Sequence, residues 1–339
     1  MRRPWNRQAA EEAPTSVTPP PVDSGAAPAS PTKLSRGAWL AAGKRTLRKY
    51  KQDNLQDMAA ALTYYGIQSI FPGILLLVSL LGLIGHSATP LINSLAGAVP
   101  GSVHQIVLNA MTHLQHGHAA AWGLAVVGIL GGLWATSGYV SAFMRAANVI
   151  YDVPEGRPFL KRTALRVGVT AVMVVLLAAS AVIVVVTGGL AARVGHLIGI
   201  GSAAVTAWNI AKWPVLLIIV SFMVAILDWV SPNARQRFRW VRPGGILAVV
   251  LWLIASGLFA LYAANFGHYN RVYGSLGGVI VFLVWLWLSN VAILFGAEFN
   301  AELERSRAIA GGMPPEQEPF IPLRDTRKVP KQTARNRPS

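Results

Sequence analysis

Cysteine is absent from the 339-residue chain, and acidic residues are scarce. Without a thiol, the protein forms no disulfide, no thiolate nucleophile and no zinc or iron–sulfur site built on cysteine. Charged residues make up only 13% of the chain, whereas hydrophobic residues make up 53%. This is too little charge for an ordinary soluble protein of this length, so the composition predicts a protein whose main solvent is lipid.

Positive charge is the exception to this shortage. The chain has 30 Lys and Arg against 14 Asp and Glu, which gives a formal net charge of +16. The basic residues concentrate in the termini and in alternate loops, as expected where cytoplasmic segments retain Lys and Arg. We therefore interpret the charge as a topology signal. We expect membrane lipids as partners and no specific nucleic acid, while homo-oligomerisation or an envelope protein partner stays open.

Six apolar stretches are long enough to cross a bilayer, which takes about 20 residues. They lie at about 59–84, 122–144, 164–188, 213–230, 243–264 and 277–295. The basic loops predict that both termini are cytoplasmic. The expected fold is all-α, a bundle of six transmembrane helices within residues 37–308, between disordered cytoplasmic tails at 1–36 and 309–339.

The segments between the crossings carry further expectations. The basic stretch from Arg36 to Lys51 should form an amphipathic helix that lies against anionic headgroups. Residues 84–120 contain no Lys or Arg and are expected outside, as short interfacial helices. The second crossing carries small residues that favour close helix approach, namely Gly131, Gly132, Gly138 and Ala142.

Polar uncharged residues mark a candidate pathway. Lipid tolerates the polar start of the first crossing only where it faces protein or a cavity, so we expect that half to face inward. The loop at 265–276 is expected at the outer surface, where Arg271 could hold an anionic head group. The alternative is an aromatic interface belt with a tight turn. The candidate residues are Tyr64, Tyr65, Gln68, Ser69, Asn265, Tyr269, Asn270, Arg271 and Tyr273.

Candidate catalytic and metal-binding residues are few. Gly117 interrupts the one histidine cluster and no carboxylate accompanies it, so we expect no metal; the cluster is His104, His113, His116 and His118. Asp57 is expected to begin a helix, and Asp228 to emerge at the interface. The acids after the last crossing should pair with basic loop residues. We expect no enzyme, no catalytic residue and no cofactor.

Several sequence blocks occur in an order that is specific to one family. They are DMAAALTYY at 57–65, SIFP at 69–72, LWATS at 133–137, ANVIYD at 147–152, RPG at 242–244, NFG at 265–267, YGSLG at 273–277 and GAEFNAE at 296–302. On these blocks the chain resembles the YihY/BrkB integral membrane family, formerly labelled ribonuclease BN. The resemblance covers about residues 40–305 and adds Asp57, Glu298 and Asn300 to the candidate residues.

The resemblance implies a six-helix protein of the inner membrane whose molecular activity is undefined, linked in members to envelope or virulence phenotypes. Polar uncharged inner faces without a charge at mid-membrane favour transport or handling of an amphipathic, lipid-like envelope constituent, with no covalent step. One alternative is an envelope scaffold that binds partners. The other is a tRNA-processing ribonuclease, as in the old family label.

Overall fold

A computed structural model describes residues 28, 30–82, 118–185, 202–236, 241–265 and 270–329. Seven α-helices occur in these ranges: α1 Arg36–Gln52, α2 Leu55–Gly82, α3 His118–Ile150, α4 Phe159–Val185, α5 Ser202–Val230, α6 Pro243–Asn265 and α7 Asn270–Ala310. The same ranges contain no β-strand, only an isolated antiparallel bridge between Ala234 and Leu323. The all-α prediction is confirmed for this part of the chain.

Four helices are long and apolar enough to cross a membrane. Their candidate spans are Phe159–Val184, Val205–Val230, Pro243–Tyr262 and Gly277–Ala310, within α4 to α7. Only 17–22% of the apolar window in each is buried, so these helices expose hydrophobic surface that lipid can cover. The first two predicted crossings, 59–84 and 122–144, fall largely on α2 and α3.

The helices α2 to α7 form a ring in chain order. Each packs against the next, and α7 closes the ring by packing on α2. The most extensive contacts are those of α2 with α3 and of α6 with α7. Helix α1, predicted as an amphipathic segment, lies outside the ring against α7, where the Trp39 and Phe299 rings are 5.9 Å apart.

Connecting segments and helix ends gather at one end of the ring, which we name the charged end. It comprises α1, the loops 151–158 and 231–236, the last turns of α7 and the segment 311–329. Asn54 and Asp152 end helices there with φ angles of 52° and 49°. Asn and Asp adopt this left-handed conformation more readily than most residues other than glycine. The chain therefore returns to the same end after α3, α5 and α7.

The segment 311–329 corrects the prediction of a disordered tail from residue 309. Phe320 and Ile321 are buried, and the Phe320 ring stacks on Tyr151 with centroids 6.4 Å apart. The buried Asn233 amide donates to the Asp325 carbonyl at 2.8 Å and accepts from the Asp325 backbone N–H at 3.0 Å. These partners offset the entropy of ordering a segment whose composition is polar, basic and rich in proline.

Two helix boundaries also differ from the sequence predictions. Helix α5 begins at Ser202, eleven residues before the predicted start of the crossing at 213, so Lys212 lies inside a helix. Helix α7 begins at Asn270, so 270–276, predicted as part of a loop, is helical. The predicted interfacial helices in 84–117 and the tail at 1–27 lie outside the described residues.

Helices α6 and α7 approach most closely at two glycines. A Cβ atom added to Gly244 would overlap the Gly296 carbonyl oxygen, and one added to Gly296 would overlap the Gly244 carbonyl oxygen. The Gly244 N–H donates to the Asn300 side-chain oxygen at 2.8 Å. Of the small residues predicted in the second crossing, Gly132 acts similarly, since a Cβ there would lie 3.2 Å from Leu76 Cβ, whereas a Cβ on Gly131 would meet nothing within 4 Å.

Replacing Gly244 with alanine should destabilise the protein. The new methyl group overlaps a backbone oxygen that cannot move without shifting α7, so we expect a loss of about 1–3 kcal/mol. Gly245→Ala is the matched control, because a Cβ there meets nothing within 4 Å. Thermal unfolding in detergent should show a lower midpoint for Gly244→Ala only; equal midpoints would contradict the close approach.

Candidate functional site

An apolar cavity of about 700 Å³ lies inside the ring, lined by side chains from α2 to α7. This volume is within the range of small-molecule sites, roughly 300–1,000 Å³. Buried hydrophobic residues of α4 and α5 form much of its wall, including Met173, Val174, Val224 and Leu227. The cavity is therefore suited to an apolar group.

Three of the serine and threonine hydroxyl groups that line the cavity donate to helix backbone, and the Tyr139 hydroxyl donates to the Asn290 side chain at 2.8 Å. Ser69 donates to the Tyr65 carbonyl at 2.7 Å, and Thr170 and Ser180 donate to carbonyls of their own helix, both at 2.8 Å. The Thr136 hydroxyl oxygen is buried and has no hydrogen-bond partner among the described residues. Since these groups are largely satisfied, the wall offers little to solvate an ion or a polar headgroup.

The cavity reaches the outer surface of the ring. Several of its lining side chains are also exposed, among them Leu177, Leu217, Leu253 and Trp213, the last of them 67% exposed. Three of these four belong to α4 and α5, and Leu253 to α6. These four side chains lie on the exposed apolar surfaces of the candidate spans. The cavity therefore opens between the helices onto the outer face of the ring, and we call this the sideways opening.

The candidate residues of the first crossing divide between two faces of α2. Ser69 lines the cavity, and Thr63 is buried and accepts a hydrogen bond from Asn290 at 3.1 Å. Tyr64 and Gln68 are exposed, and Tyr65 is partly buried. The expectation of an inward-facing polar half thus holds for Thr63 and Ser69 and not for Tyr64 or Gln68.

The other candidate residues do not join this cavity. Asp57 is exposed in the first turn of α2, as expected of a residue that begins a helix. The positions of the Asn265, Asn270, Arg271 and Tyr273 side chains, and all of Tyr269, lie outside the described part of the structure, as do those of the four clustered histidines.

A buried polar cluster, the Asp228 cluster, joins four elements at the charged end. The Asp228 carboxylate accepts from Arg242 at 3.2 Å, from Asn300 at 2.8 Å and from the Tyr151 hydroxyl at 3.3 Å. Gln236 accepts a further hydrogen bond from Arg242. Asp228 is 4% exposed, so it does not emerge at an interface as expected; Arg242 neutralises it inside the protein.

A second set of charges, the Glu298 cluster, lies between α1, α7, the loop 151–158 and the segment 311–329. Arg305 contacts Asp152 at 2.7 Å and Glu318 at 3.0 Å, and Arg45 contacts Glu302 at 2.5 Å. Lys49 contacts Asp152 at 3.0 Å. The members are Arg45, Lys49, Asp53, Asp152, Glu298, Glu302, Arg305 and Glu318.

Acids outnumber bases in the Glu298 cluster, and the pKa values reflect this. Burial raises the pKa of Asp53 above its ordinary value, and the nearby Asp152, Glu318 and Glu302 raise it further against the effect of Lys49. Burial also raises the pKa of Asp152, although Lys49 and Arg305 lower it. The cluster therefore disfavours additional negative charge.

Glu298 differs from the other acids of α7. It is fully buried, and neither carboxylate oxygen has a hydrogen-bond partner among the described residues. Glu302 pairs with Arg45 of α1, and Glu304 pairs with Arg307 of its own helix. Both acids therefore form ion pairs, but with bases in helices and not with the basic loop residues that the sequence predicted. No such pairing occurs for Glu298 in the described part of the chain.

Comparison with known proteins assigns the chain to a family. The model of the family described as virulence factor BrkB matches residues 46–320. The chain belongs to the BrkB family. No solved structure matches it.

Curated relatives of this BrkB-family protein carry two kinds of name. A ribonuclease-like protein named YfkH from Bacillus subtilis is 27% identical over 82% of this chain and 98% of its own length. A UPF0761 membrane protein from Ralstonia nicotianae is 26% identical over 68% of this chain, and one from Alkalilimnicola ehrlichii is 29% identical over 75%. The chain spans only 51% and 56% of these two longer relatives.

Two of the family blocks, RPG and GAEFNAE, contribute to the contacts at the charged end. Gly244, Gly296 and Asn300 form the α6–α7 contact, and Arg242 pairs with Asp228. The sequence did not identify the cavity wall in α4 and α5. Its Val, Leu and Met residues are the same types that face lipid, so composition cannot separate the two faces of these helices. The sequence also did not identify Asn233, whose partner Asp325 is 92 residues away.

Neutralising Asp228 in this BrkB-family protein should cost far more stability than neutralising an exposed pair. Asp228→Asn removes the carboxylate charge that Arg242 contacts at 3.2 Å inside the protein, and breaking a buried pair costs about 3–5 kcal/mol. Glu304→Gln removes the same charge from a pair with Arg307 that is partly exposed, which costs about 0–1 kcal/mol. Denaturant titration in detergent measures both; similar losses would show that the Asp228 cluster is not a dry ion pair.

Proposed function

We propose that this protein binds an amphipathic, lipid-like constituent of the cell envelope and carries its acyl part through the cavity inside the ring, without a covalent step. The cavity carries the proposal, since its wall is apolar and most of its hydroxyl groups already donate to protein groups. An acyl chain in a bilayer is already out of water, so an apolar wall can receive it through van der Waals contacts, without polar groups that would have to be desolvated.

The sideways opening supports a lipid as the occupant. A lipid arrives within the bilayer plane, so its route must begin at the helix surfaces that face hydrocarbon. The exposed lining residues of α4, α5 and α6 lie on candidate spans. The headgroup of such a lipid remains in the polar layer while the chain enters between the helices, because an apolar wall cannot replace the water around a headgroup.

Six crossings with both termini in the cytoplasm are part of the proposal. The start of α2 belongs to the same buried cluster as Tyr151 and Ala301, and the α3–α4 loop, the α5–α6 loop and the end of α7 meet there at the charged end. Each of the six helices then runs between this end and the opposite one. Basic residues of α1 and the two loops favour the cytoplasmic side of an inner membrane for the charged end.

The ribonuclease-like name belongs to the Bacillus subtilis relative. Among the described residues, no group of three or more His, Asp or Glu side chains is arranged to hold a metal ion. Most acids at the charged end accept hydrogen bonds from Arg or Lys, as Asp152, Asp228 and Glu302 do. This arrangement supports a binding and transport role, with the carboxylates holding the helices together.

Filling the cavity should weaken the binding of an acyl chain. Gly73 lines the cavity, and a Cβ there meets only the Thr136 hydroxyl, at 4.0 Å, so Gly73→Phe has room to project into the space. We expect a fluorescent acyl probe to bind about tenfold more weakly, a change of about 1.4 kcal/mol. Movement of labelled lipid across reconstituted vesicles should slow in parallel.

Gly131→Phe is the matched control, because Gly131 lies on the exposed side of α3 with nothing within 4 Å of an added Cβ. This variant should bind the probe as the unaltered protein does. Equal binding by Gly73→Phe would contradict the assignment of the cavity. Lipid movement no faster than in protein-free vesicles would contradict the transport step.

A further inference from the structure

Glu298 lies on the face of α7 that points toward α1. Residues 298, 302 and 305 follow at intervals of four and three, so they share one side of the helix. Gly296 and Asn300 lie on a different face, where they contact α6 and Asp228. The Glu298 side chain is thus held in a rigid helix and directed into the Glu298 cluster.

The charged groups that act on Glu298 come from three elements. They are Lys49 of α1, Asp53 directly after α1, Glu302 of α7 and Asp152 of the loop 151–158. Three of the four are acids. The bases of the cluster are engaged elsewhere: Arg45 holds Glu302 and Ser306, and Arg305 holds Asp152 and Glu318. No base described here is within ion-pair distance of Glu298.

A buried carboxylate without a hydrogen bond or counter-charge is costly, because it loses its hydration and gains nothing in return. Adding a proton removes this cost and the repulsion from the neighbouring acids. A metal ion would need further ligands, and the described residues supply no group of three acids or histidines placed to hold one. A proton needs no ligand other than the carboxylate.

We propose that Glu298 is a reversible proton-binding site that controls the packing of α1 against α7. In the protonated state α1 packs on α7 through the Arg45–Glu302 pair and the Trp39–Phe299 contact. Loss of the proton places a third negative charge between Asp53 and Glu302. This charge repels Asp53 at the end of α1. Water can then enter between α1 and α7, and the packing of α1 on α7 weakens. The site is independent of what the cavity binds.

Infrared spectroscopy of the full-length protein in detergent tests proton binding directly, through the carbonyl stretch of a protonated carboxyl group. We expect the unaltered protein to show this band near neutral pH, and Glu298→Gln to lose it. Glu304→Gln should retain it, since Glu304 pairs with Arg307 on the same helix. Absence of the band in the unaltered protein, or its persistence in Glu298→Gln, would overturn the proposal.

Amide hydrogen exchange in α1 tests the consequence. Protection of the α1 amides should fall as pH rises in the unaltered protein, beyond the change in intrinsic exchange rate. It should stay constant in Glu298→Gln and in Glu298→Met, which keeps the site apolar and guards against a folding defect of the amide variant. A pH dependence shared by all three proteins would overturn the control of α1 by Glu298.

Discussion

The contact between α6 and α7 at Gly244 and Gly296 is the constraint on which the charged end depends. Only glycine permits the two backbones to come so close, since an added Cβ on either would overlap the carbonyl oxygen of the other. The approach places Asn300 where it can bond both the Gly244 N–H and Asp228. Asp228 in turn holds Arg242 and Tyr151. One backbone contact thereby joins α3, α5, α6 and α7 and aligns the ring.

Polar and apolar interactions occupy different parts of the ring. Ion pairs and buried amides order the charged end, whereas the body of the ring is held by apolar packing and exposes hydrophobic surface outward. The contacts at the charged end fix the positions of the helices. The helices can therefore surround an open cavity without packing against one another across it. An empty apolar cavity in a soluble protein would cost stability, by about 24 cal/mol per Å³. Under the proposed function, an acyl chain fills this space in the membrane, and the same space serves as its binding site.

The sequence predicted the helices better than their contacts. Apolar length marked α2 to α7, and the basic stretch marked α1, because both signals are local. The blocks RPG and GAEFNAE identified a family, but not that Gly244 faces Gly296 or that Arg242 neutralises Asp228, since these partners are far apart in sequence. Order in 311–329 was missed for the same reason, as its partners Asn233 and Tyr151 lie in other loops. Glu298 was expected to pair with a base, and only the positions of Arg45 and Arg305 show that both are already engaged.

The most direct measurement of the central claim is photolabelling by a lipid that carries a photoreactive group at the end of its acyl chain, in vesicles, followed by mass spectrometry of the peptides. A chain that enters the ring should label residues on the cavity side of α4 and α5, such as Met173 and Val224, which are 7% and 8% exposed. The cavity-filling variant should lose this labelling. If the label appears only on outward-facing residues such as Val175 and Leu258, which do not line the cavity, the chain stays outside the ring and the account of lipid binding is wrong.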